Sequence, residues 1–163
     1  MSEFRFLYFQ KDAQGRMARV ETLGEKPLPL NVHIDNAREL GDPPEGPCRI
    51  DVSGIGMEMR VYPSEEAYRA AGLKLAPLTL IPMGAVPPRK DYPDFVESAH
   101  VLFAGKVLEA EAYPDTGPEC PNCGVLLETE ALRFRLYFRT EEHVEAGCVA
   151  SGVAWLYGDM EMG

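Results

Sequence analysis

Cys120-Pro121-Asn122-Cys123-Gly124 is the stretch whose residue types and spacing carry the most definite chemistry. Two thiols separated by two residues, with glycine after the second, form a knuckle in which backbone amides support both sulfurs as ligands of one metal ion. A structural zinc takes four ligands, and the chain has no second cysteine pair at that spacing. The other thiols and imidazoles are Cys48, Cys148, His33, His100 and His143. Three readings stay open. Zinc is held at Cys120 and Cys123, completed within the chain or by the knuckle of a second copy. A redox dithiol is expected instead to follow a strand and open a helix. The default is a variable loop over residues 114–128 whose cysteines have no obligatory role, since substitution at a loop tip costs little. No cofactor is thus the first expectation, with zinc the alternative. Cys48 at a strand start and Cys148 in an apolar run read as small buried hydrophobes.

A second constellation is Arg133, Arg135, Tyr137 and Arg139, a basic stripe with one aromatic on alternate positions. Such a surface can track the backbone of a single-stranded nucleic acid. Its surroundings oppose that: residues 97–163 carry a net charge of −8, against −2 for residues 1–96. Glu109 and Glu111 on a neighbouring strand would pair with these arginines, so the stripe reads first as a solvated ion-pair face. The three histidines lack the neighbours of a catalytic triad, and no phosphate-binding, dinucleotide-binding, zincin or nucleophile-elbow motif is present. No residue is assigned a catalytic role. Trp155 and Tyr157 share a parity and read as core or barrel-mouth packing.

The whole chain, 163 residues at 45% hydrophobic and 26% charged, has the composition of a globular protein with a buried core. A net charge of −10 opposes broad binding to nucleic acid. The longest uncharged stretch, residues 75–88, contains four prolines and spans no membrane. The N-terminal residues do not read as a signal peptide, so a cytoplasmic location is expected.

Positioning these residues falls mainly to strands. Phe4, Phe6 and Tyr8 alternate with Arg5, Leu7 and Phe9, and Asp12-Ala13-Gln14-Gly15 reads as a turn into a second strand over residues 17–23. A third strand is expected over 30–34, and a loop over 36–46. Residues 49–52 and 57–62 read as a hairpin turning at Gly54-Ile55-Gly56, ended by Pro63. Ser64 is the expected N-cap of a helix over 65–71, with Gly72 as its stop. Five prolines between 75 and 94 exclude regular structure, while Leu78, Leu80, Ile81, Met83 and Val86 keep that segment on the protein surface.

In the second half a long strand from His100 to Tyr113 changes its inward face near Gly105-Lys106, as a bulge or glycine bend allows. Leu132, Phe134, Leu136 and Phe138 then alternate with the basic stripe. Residues 148–157 are uncharged on both faces, as in a central or barrel strand. This order, over residues 95–158, resembles a small OB-like barrel. The expectation is an α+β, mainly β protein: a β-rich module with one short helix over 1–72, a Pro-rich segment packed on the surface over 73–96, and an OB-like barrel over 97–163. The expected function is a binding or accessory role without catalysis, recognising another protein. The alternatives are OB-type binding of single-stranded nucleic acid or oligosaccharide at Arg133, Arg135, Tyr137 and Arg139, and a zinc-containing protein or enzyme.

Overall fold

The computed structural model describes residues 1–12, 15–114 and 117–163, with their side chains except at 11, 12 and 15. Ala13 and Gln14 of the expected turn, and residues 115 and 116 of the expected 114–128 loop, lie outside the described residues. The protein is mainly β, with two short helices. Its elements are β1 (Ser2–Asp12), β2 (Gly15–Thr22), β3 (Pro29–Ile34), α1 (Ala37–Leu40), β4 (Gly46–Tyr62), α2 (Glu65–Ala70), β5 (Leu80–Ile81), β6 (His100–Ala112), β7 (Cys123–Glu128), β8 (Arg133–Phe138) and β9 (Val149–Met162). All nine strands belong to one mixed sheet, ordered β1-β2-β3-β9-β4-β8-β7-β6-β5. Additional pairings β1–β4 and β9–β6 close rings of hydrogen bonds within it.

The chain divides into two compact units interleaved in sequence. One comprises Met1–Val52, Pro82–Val101 and Trp155–Gly163, the other Ser53–Ile81 and Leu102–Ala154. In the first unit, β1, β2 and β3 form an antiparallel meander. β3 then pairs parallel with β9, His33 opposite Tyr157, and β4 returns antiparallel to β1, Phe4 opposite Cys48. Alternation turns Phe4, Phe6, Val20, Leu30, Val32, Ile34, Ile50, Leu156 and Met160 inward, all buried. Each large apolar side chain so enclosed contributes about 1.5–3 kcal/mol. A Cβ at Gly158 would fall 2.2 Å from the Asp51 carbonyl oxygen, so β9 and β4 meet here only because residue 158 is glycine.

The second unit has the same order of pairings. β6, β7 and β8 form the meander, and β8 pairs parallel with β4 through Ser53–Ile55 and Arg135–Tyr137. The part of β9 in this unit lies beside β4 and β6. Phe103, Val107, Val125, Leu127, Phe134, Leu136 and Phe138 fill its interior, with Phe103 and Phe134 edge to face at 6.0 Å. Helix α2 starts where expected: the Ser64 hydroxyl accepts from the Ala67 N–H at 3.0 Å. Its buried Tyr68 donates to the Leu75 carbonyl at 2.6 Å, anchoring a helix too short to persist alone.

Several local expectations are corrected. Gly54-Ile55-Gly56 is not a turn, because β4 runs unbroken from Gly46 to Tyr62. Gly54 serves close packing instead: a Cβ there would lie 3.2–3.4 Å from Phe134, Leu136 and Ala154. Residues 36–46 include the single turn α1. The prolines of residues 75–94 leave room for one short ladder, where Leu80 and Ile81 pair with Phe103 and Leu102. The face change in β6 comes two residues after the expected place, at a register shift between Val107 and Glu109. Gly105 is needed for contact, since its Cβ would sit 2.5 Å from Leu127 Cγ. Residues 123–128 are strand β7, so the expected loop ends at Asn122.

Candidate functional site

Two features of the first unit meet on the outward side of β3. Leu30, Val32 and Ile34 face the core, so Asn31 and His33 face away from it. Asn31 is nevertheless 2% exposed. Its amide donates to the carbonyls of Gly84 and Ser98, both at 3.1 Å, and its side-chain oxygen accepts from Gln10 at 2.8 Å. Arg19, opposite Asn31 on β2, donates to the Ala85 carbonyl at 2.9 Å and pairs with the Glu97 carboxylate at 2.7 Å. The Ser98 N–H donates to the Gly84 carbonyl, and the Gly84 N–H to that of His100. A Cβ at Gly84 would lie 2.3 Å from the Ser98 carbonyl oxygen, so only glycine admits this closure.

Residues 85–97 are therefore a loop with its two ends fastened together and onto β2 and β3, an Ω-type geometry. Pro87, Pro88 and Pro93 restrict its backbone. Turns form where Ala85 and Val86 donate to the Pro82 carbonyl and Tyr92 to that of Arg89. Beyond this base the loop turns apolar groups outward: Val86 is 43% exposed, Tyr92 46% and Val96 81%. The Arg89 guanidinium sits 5.9 Å from the Tyr92 ring.

Two residues along β3, His33 packs on Trp155 with ring centroids 5.1 Å apart, and Trp155 stacks with Tyr157 at 5.9 Å. All three rings are half-buried, and the His33 Nε2 lies 4.0 Å from the Asp35 carboxylate. In the sequence Trp155 and Tyr157 read as packing residues. Their assembly with His33 depends on a parallel pairing between distant segments, which no local pattern reveals. The one available signal was parity: Trp155, Tyr157, Asp159 and Glu161 follow one another on a single face.

The cysteine knuckle lies in the second unit. Cys120 is exposed, whereas Cys123 opens β7 and is buried. Asn122 fixes the turn, donating to the Thr140 carbonyl at 2.8 Å and accepting from the Thr140 N–H at 3.0 Å. Arg139 donates to the carbonyls of Gly117 and Cys120 at 2.9 and 3.3 Å. A cleft of about 280 Å³ brings Cys123 together with Glu111, Tyr113, Asn122, Glu142 and His143. Burial pushes the Cys123 thiol above its ordinary pKa, the opposite of what a nucleophile or metal ligand needs. Among the described residues no group of three or more His, Cys, Asp or Glu side chains is placed to hold a metal ion. Cys48 and Cys148 are buried, and burial pushes Cys48 up to about 11.

On the basic stripe, Arg133 meets Glu128 at 3.2 Å and Arg135 meets Glu109 at 3.7 Å. Glu111 accepts from the Tyr113 hydroxyl at 3.3 Å, and the Tyr113 ring lies 6.4 Å from that of Tyr137. Arg133 and Arg135 thus project beside carboxylates, while Arg139 is turned onto the knuckle. No helix of the described residues is long and apolar enough to cross a membrane. No protein-family model, curated protein or solved structure matches this chain.

Proposed function

We propose that this chain is a binding or accessory protein without catalysis, and that it recognises another protein through the outward surface of its first unit. The observation that carries this reading is the loop over residues 85–97. Its base is held by the Asn31, Arg19–Glu97 and Gly84–Ser98 interactions, while Val86, Tyr92 and Val96 are left to solvent. Holding a loop rigid while exposing apolar and aromatic groups lowers the ordering cost of association, and Tyr and Arg are frequent anchors at interfaces. The ring order supports an OB-like arrangement in the second unit. Three antiparallel strands lead to a parallel β8–β4 pairing and closure by β9 on β6, an order repeated in the first unit. Four free cysteines fit a reducing, cytoplasmic setting.

Photo-crosslinking tests the proposal. A photoreactive phenylalanine analogue replaces Val96, or Glu66 as a control, in extract of the source cells. The Val96 position is expected to give a discrete adduct with a second, different polypeptide. That adduct should fade when Tyr92→Ser and Val86→Ser are added. Adducts no stronger than at Glu66, or adducts only between copies of this chain, would refute the reading.

A further inference from the structure

We infer that the His33–Trp155–Tyr157 strip of the first unit receives a cationic segment of the partner, a stretch bearing arginine or lysine side chains. This rests on the protein-recognition reading above and names the chemistry of what is recognised. Asn31, under the loop base, and His33, in the ring stack, are two residues apart on the same side of β3, about 7 Å along the strand. The loop and the rings thus belong to one surface.

The strip is bordered by carboxylates. On β9, the parity of Trp155 and Tyr157 continues into exposed Asp159 and Glu161. On β4, Ile50 and Val52 face the core, so Asp51 faces outward beside Arg49, whose guanidinium pairs with Glu161 at 3.2 Å. That pair places the two strands' outward residues on one side. Asp35 adds a further carboxylate, half-exposed, at the end of β3. Among the described residues, no lysine or arginine nitrogen lies within 4 Å of Asp35, Asp51 or Asp159.

Aromatic faces carry negative potential and attract guanidinium and ammonium groups, Trp most strongly. The carboxylates of Asp35, Asp51 and Asp159 add to the same potential, and the chain as a whole is at −10. A phosphate backbone would stack on the rings but be repelled by the three aspartates. A basic peptide satisfies both the rings and the charges.

Trp155 is the one tryptophan in the chain, so its fluorescence reports on this strip alone. The protein is titrated with a peptide of alternating Arg and Gly, and with matched Glu/Gly and Ser/Gly peptides. The Arg peptide is expected to give a saturable change that weakens several-fold as salt rises from low to high. Asp51→Asn with Asp159→Asn should weaken it by about 3- to 10-fold, and Tyr157→Leu by about 2- to 5-fold, with circular dichroism unchanged. No response to the Arg peptide at millimolar concentration, or an equal response to the Glu or Ser peptide, overturns the inference. Adducts at Val96 with a silent peptide titration would sink this inference and leave protein recognition standing. Peptide binding without Val96 adducts would sink the recognition reading and leave the cationic site.

Discussion

Asn31→Ala should loosen the loop over residues 85–97 at its base and cost about 2–4 kcal/mol of folding stability. The substitution removes two donors facing carbonyls on a residue that is 2% exposed. The Gly84 carbonyl keeps the Ser98 N–H, so its loss is that of an ordinary net hydrogen bond, about 0.5–1.5 kcal/mol. The Ser98 carbonyl loses its Asn31 donor in a part-buried setting and gains no replacement within the chain, worth about 1–3 kcal/mol. Gln10 is half-buried and can turn to water, so its term is small. Urea unfolding should show a lower midpoint at unchanged slope. Amide exchange at Ser98, whose N–H spans the loop base, should accelerate. A loss under about 1 kcal/mol for Asn31→Ala would refute the account of the loop base.

Two further expectations follow from packing and burial. Gly105→Ala would force a Cβ to within 2.5 Å of Leu127 Cγ and 3.0 Å of the Glu128 carbonyl oxygen, and should cost about 1–3 kcal/mol by thermal unfolding. In a timed alkylation of the native protein read by mass spectrometry, exposed Cys120 should be modified first and buried Cys48, Cys123 and Cys148 only on unfolding. Because the Cys48 thiol is held up to about 11, the native state keeps a proton that the unfolded chain releases near 9. Stability should therefore decline as pH rises from about 9 to 11, and less so in Cys48→Ala.

Features written in neighbouring residues could be read directly from the chain. Ser64 with Glu65, Glu66 and Gly72 marks both ends of a helix, and the structure places α2 over Glu65–Ala70. The alternation from Leu132 to Phe138 marks β8 because one face is apolar and the other charged. Glycine is ambiguous in such patterns. Gly54 and Gly56 between two alternating runs look like a turn, yet they lie within β4, where the missing side chain admits Phe134 and Phe138. Close approach and tight turning favour the same residue, and only the partner strand distinguishes them. The candidate site was hidden for a related reason. His33 meets Trp155, and Arg19 meets Glu97, 78 residues further on, through contacts between segments distant in the chain. Periodicity reports which way a side chain points and says nothing about which distant strand lies beside it.

The interleaving of the units bears on how the molecule comes into being on the ribosome. β1, β2 and β3 emerge early, but the parallel partner of β3 is β9, made last of the described strands. Until then the nascent meander carries an open edge on β3, with its inward apolar residues unsheltered. The second unit waits likewise, because β9 also closes on β6. Neither hydrogen-bonded ring can be finished while its strands are still being synthesised, so closure is a late, long-range event rather than a sequential one. An unpaired edge beside exposed Phe, Val and Ile is a template for mispairing between chains. Slow translation would prolong that vulnerable interval, and a ribosome stalled before β9 would release a chain prone to aggregate.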